Sequence, residues 1–161
     1  MSMMAVTSGA FSILEFICII EESMGVLYHA YANQFSEHAD FWRQFAEEKS
    51  RHAADIVELL REDAPNALAG YPMPQAVAAY HSLLEWITAA VQRVTTISMD
   101  QAVRDALYLE RTFAEQHLPG PFLPDSPQVH TILDHLADET VQRWWKLMAL
   151  QMTMTLWYCA A

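Results

Sequence analysis

Glycine is scarce in this chain, with four in 161 residues, and proline reaches only seven. So little turn material argues against a β-rich architecture. It also leaves nothing from which to build a glycine-rich phosphate loop. Basic residues are few: nine Lys and Arg stand against twenty Asp and Glu, a formal net charge of −11. That balance argues against nucleic acid or an anionic membrane surface as a partner. The two cysteines, Cys18 and Cys159, lie at opposite ends without CxxC or zinc spacing. Reduced thiols and a cytoplasmic location are therefore expected, without a structural disulfide. The apolar stretch 10-AFSILEFICII-20 is interrupted by Glu15 and follows no basic residue, unlike a signal peptide. The uncharged tail 147-LMALQMTMTLWYCAA-161 is short for a membrane helix. No Ser-His-Asp ordering or P-loop is present, so nothing points to a hydrolase, kinase or dehydrogenase.

What remains is rich in core material, with 53% apolar and 18% charged residues. One all-α domain over residues 1–161 is expected. Leu14, Ile17, Glu21, Met24, Tyr28 and Tyr31 follow steps of three and four, which predicts a helix from about Ser8 to Ser36. Trp42, Phe45, Lys49, His52, Ile56 and Leu59 predict a second, from about Glu37 to Arg61. The breaker-rich segment 63-DAPNALAGYPMP-74 opens a crossover over 63–97. Within it Val77, Tyr80, Leu84, Ile87, Val91 and Val94 mark a further helix. Ser98 then reads as an N-cap, with Gln101 completing a capping box. The helix it starts carries Val103, Ala106, Glu110, Phe113 and His117. After 119-PGPFLP-124, Ser126 and Pro127 open a last long helix. Its seam is Val129, Leu133, Leu136, Thr140, Arg143, Leu147, Leu150, Met154 and Trp157. The plan is a helix pair (8–61), a crossover with its own helix (63–97) and a second pair (98–158). It predicts a four-helix bundle with an added crossover helix.

The two pairs resemble each other. 17-ICIIEESMGVLY-28 lies over 106-ALYLERTFAEQH-117, and 45-FAEEKSRH-52 lies over 136-LADETVQR-143. The alignment matches Glu21 to Glu110, Lys49 to Thr140 and His52 to Arg143, as a duplicated helix pair would. All six are polar residues on otherwise apolar seams. Periodicity places them in the core, where a charge needs a partner or a metal.

With these motifs the chain resembles the ferritin-like superfamily and, within it, the rubrerythrin-type di-iron proteins. In that family the first and third helices each give a Glu, and the second and fourth each give Glu-x-x-His. Glu21, His52 and Glu110 match family ligands. Lys49 and Thr140 stand where bridging carboxylates would be, and Arg143 where the second His would be. The resemblance implies a ferritin-like fold with a degenerate di-iron site. The expected replacement for the metal is a buried network of Glu21, Lys49, His52, Glu110, Thr140 and Arg143. A binding or structural protein without a cofactor follows from that reading.

Two alternatives stay open. One is a residual non-haem iron or manganese oxidoreductase, of peroxidase type, with Glu21, Glu48, His52 and Glu110 as ligands. It needs Glu48 to turn inward from a flank (Glu47, Glu48, Asp138, Glu139) otherwise read as solvated. The other is a carrier of a small apolar ligand. The Met- and aromatic-rich tail, with Trp144 and Trp145, is apolar on more than one face. The crossover helix (Tyr80, Leu84, Trp86) is expected to cover one side of it, and a homodimer partner the other. Packing within the chain, or loose contact with a membrane or an apolar ligand, would serve the same face.

Overall fold

The computed structural model describes residues 12–62, 74–117 and 126–160. Helices α1 (Ile13–Gln34), α2 (Ala39–Glu62), α3 (Pro74–Gln92), α4 (Met99–His117) and α5 (Pro127–Ala160) make up almost all of it. Among the described residues there is no strand. Single 3-10 turns at Ser36–His38 and Val94–Thr96 join α1 to α2 and α3 to α4.

The helices start where a side chain can satisfy free backbone N–H groups. Ser12 caps α1 in a full capping box: its hydroxyl accepts from Glu15 N at 3.2 Å, and Glu15 accepts from Ser12 N at 2.7 Å. Residues 8–11 of the expected first helix lie outside the described residues. Ser126 accepts from Val129 N at 3.4 Å, with Pro127 at the first helical position of α5. Ser98 caps α4 through Gln101 N at 3.2 Å. The expected capping box there is half made. The Gln101 side chain donates to Asp105 and accepts from Arg104.

The expected seams of α1, α2 and the described part of α4 are buried at every position. The side chains of His117 and Trp157 lie outside the described residues. Helix α3 differs. Its buried face is Tyr80, Leu83, Ile87 and Ala90, while Val77, Leu84 and Val91 are only partly buried. The reason is its partner. It lies on α1, where Phe16 stacks on Tyr80 with ring centroids 4.9 Å apart, and Trp86 meets Tyr108 of α4 at 5.1 Å. Helix α3 therefore spends its apolar face on α1 and does not blanket the tail of α5, contrary to the sequence expectation.

Helices α2 and α5 run antiparallel: Arg51 reaches Glu139, while Glu48 reaches Arg143 and Lys146. Below the polar level an aromatic cluster of Tyr28, Tyr31, Trp42 and Phe45 closes one end of the core. At 34 residues α5 is about 51 Å long against about 36 Å for the 24-residue α2. Its C-terminal turns therefore reach past the start of α2. There Met152 and Leu156 are 62% and 68% exposed. No helix among the described residues is long and apolar enough to cross a membrane.

A candidate functional site: the buried ion-pair network

Four helices each bring polar residues to one level of the core. Glu21, Lys49, His52, Glu110, Thr140 and Arg143 are all 0–1% exposed. The Lys49 ammonium lies between two carboxylates, 3.0 Å from Glu21 Oε1 and 3.3 Å from Glu110 Oε2. Its third side faces the Phe113 ring, 4.9 Å from the centroid. All three directions open to an ammonium are thus filled.

Arg143 closes the other side. Its Nε donates to Glu110 Oε1 at 3.2 Å, Nη2 to Thr140 Oγ1 at 3.0 Å and Nη1 to Glu48 Oε2 at 3.2 Å. Thr140 donates in turn to the Leu136 carbonyl at 2.7 Å. Tyr28 donates to Glu110 Oε1 at 2.8 Å, so Glu110 accepts from three helices. His52 Nδ1 meets Glu21 Oε2 at 3.0 Å. A planar guanidinium suits this multi-acceptor corner better than a lysine would.

Burial by itself pushes the Glu21 carboxyl up. The Lys49 charge, the His52 hydrogen bond and the Arg143 charge outweigh it and bring the group down to about 2. Burial pulls Arg143 down, and Glu110, Glu21 and Glu48 more than restore it, so its pKa ends above the ordinary value. Tyr28 is held well above its ordinary value, by burial first and then by the Glu110 charge. Glu21 and Arg143 are therefore both held in their charged forms. Two of each cancel: Glu21 and Glu110 against Lys49 and Arg143.

Around this core lies a half-exposed rim that the sequence reading left on the solvated flank. Glu48 and Glu139 have side chains only 15% and 18% exposed. Glu48 binds Arg143 and Lys146, and Glu139 binds Arg51 at 2.8 Å and His135 at 3.3 Å. Glu47 and Asp138 do remain exposed. Glu48 turns inward toward Arg143 and not toward Glu21. The signal was present as four-residue spacing, since Glu48 precedes His52 and His135 precedes Glu139 by one turn.

A di-iron centre does not fit these residues. Two cations need bridging carboxylates, and those positions hold Lys49 and Thr140. The space between Glu21 and Glu110 holds the Lys49 ammonium itself. A single ion on Glu21, Glu48, His52 and Glu110 would have to expel that ammonium. Beside the network an open cleft between α4 and α5 is walled by Ala114, Val141 and Trp144 and reaches Glu110 and Thr140.

Fold and site together define an all-helical protein built around a charge-balanced ion-pair network. A scan against protein-family models and searches of curated proteins and solved structures gave no match to this chain.

Proposed function

We propose that the chain is a ferritin-like, rubrerythrin-type four-helix bundle in which an ion-pair network has replaced the di-iron centre. It acts as a binding or structural protein and not as a peroxidase. The observation that carries this reading is the Lys49 ammonium between Glu21 and Glu110, on the positions where a family member would hold metal. The triple variant Lys49→Glu, Thr140→Glu, Arg143→His restores the family's six donors. It is expected to take up two iron ions per chain, measured by elemental analysis, while the wild type turns over no peroxide with added iron. A folded triple variant without iron, or iron-dependent turnover by the wild type, would sink the reading.

The same reading assigns a partner, a second copy of this chain. Val141, Trp145, Met152 and Leu156 are 50–68% exposed and share one stripe of α5, opposite its buried face. Their spacing, four, seven and four, is the same read in either direction. A two-fold axis between Met148 and Ala149 therefore sets Trp145 on Met152 and Val141 on Leu156 of the partner chain. After Lys146 the chain has no charged residue to oppose this contact. Light scattering is expected to give about twice 18.4 kDa for the wild type, and 18.4 kDa for Trp145→Glu with Met152→Glu. A monomeric wild type would remove the partner and leave the network untouched.

A further inference from the structure

His52 does more than close the network. Its Nδ1 faces Glu21 Oε2 at 3.0 Å, which leaves Nε2 as the ring nitrogen turned toward the rim. There Nε2 meets Glu139 Oε2 from α5. An imidazole nitrogen and a carboxylate oxygen brought together from two helices are two donors that a metal ion can share. A third donor is at hand: His135 Nε2, from the same turn of α5, lies 3.3 Å from Glu139 Oε1. The donor atoms of His52, His135 and Glu139 all fall within 4.8 Å of one another.

We propose that His52, His135 and Glu139 form a divalent transition-metal site at the mouth of the network. Two imidazoles and one carboxylate suit a zinc-like ion, with donors at about 2.0–2.2 Å and a fourth position for water. His135, with its side chain 57% exposed, lies on the solvent side and swings in to complete the set. The shell behind the donors is already built. Glu21 orients His52 through Nδ1, as a carboxylate behind a metal-bound histidine does, and Arg51 grips both oxygens of Glu139 from outside at 2.8 and 3.0 Å. The site differs from a di-iron centre in every donor except His52, and it leaves Lys49 in place. It rests on the ion-paired reading of the inner network, because the contact with Lys49 is what places Glu21 behind His52.

The test is a zinc titration of chelator-stripped, full-length protein against a chromophoric competitor, with cobalt substitution as a spectroscopic readout. One zinc per chain is expected, with micromolar affinity or tighter. His135→Ala and Glu139→Gln should each weaken it by at least about tenfold, while His130→Ala has no effect. Circular dichroism checks that each variant is folded, and His135 and His130 are both exposed positions. Absence of zinc binding, or equal binding by His135→Ala, would overturn the site and leave the inner network standing. Two metals per chain, independent of His135, would overturn both the site and the network reading.

Discussion

Lys49→Met is expected to lower stability by ~3–5 kcal/mol, because it leaves Glu21 and Glu110 buried without their shared cation. Methionine keeps the unbranched stem that packs on Gly25 and removes the ammonium that faces Phe113, so the loss is chiefly that of the charge. For a chain of this size the melting temperature should fall by roughly 10 °C or more. Thermal unfolding checks it. Among the described residues Arg143 is the only other cation touching Glu110, and it cannot replace Lys49 at Glu21 without leaving Thr140 and Glu48. A change of less than about 1 kcal/mol would place Lys49 with ordinary exposed ion pairs and remove the network from the list of stabilising features.

Acid should attack the same centre. The Glu21 carboxyl is lowered from 4.5 to about 2 in the folded protein. A group depressed in this way contributes stability that is fully present above its unfolded value. That stability is lost as pH falls from 4.5 toward 2. The groups facing Glu21 are Lys49 and His52 from α2 and Arg143 from α5, with Glu110 across Lys49. At 1.36 kcal/mol per pH unit, this one group is worth about 3 kcal/mol over that window. Urea midpoints measured from pH 5 to pH 2, in chelator, should show the loss in the wild type. In Glu21→Gln the total loss over the window should be smaller by that amount, and the slope correspondingly shallower. Equal slopes in the two proteins would mean that Glu21 is not held ionised by its neighbours.

The inner residues were legible because apolar periodicity is a strong signal. Lys49 is flanked one turn away by buried Phe45 and Ala53, and Arg143 by buried Thr140 and Leu147. The rim was not legible for the same reason. Glu48 and Glu139 lie one step off the seam, where burial depends on helix rotation. That rotation is set by long-range pairs such as Arg143–Glu48 and Arg51–Glu139, which no local pattern contains. The face of α3 was misread in the same way: its periodicity fits two neighbouring stripes, and Phe16 on α1 selects the one through Tyr80 and Leu83. The outer stripe of α5 was visible as an excess of apolar residues. The sequence did not show that α3 leaves it uncovered.

The distribution of charge between the helix pairs bears on how the chain folds. The α1–α2 pair carries Glu21 with Lys49, and the α4–α5 pair carries Glu110 with Arg143. Each hairpin is electrically self-sufficient and can collapse alone without an orphaned charge. The cross-pair bonds, among them Lys49 and Tyr28 to Glu110, Arg143 to Glu48 and Arg51 to Glu139, wait for docking. Water leaves the buried ones in that one step. A slow folding phase sensitive to Tyr28, in a chain whose hairpins have already formed, is the kinetic trace such an arrangement leaves.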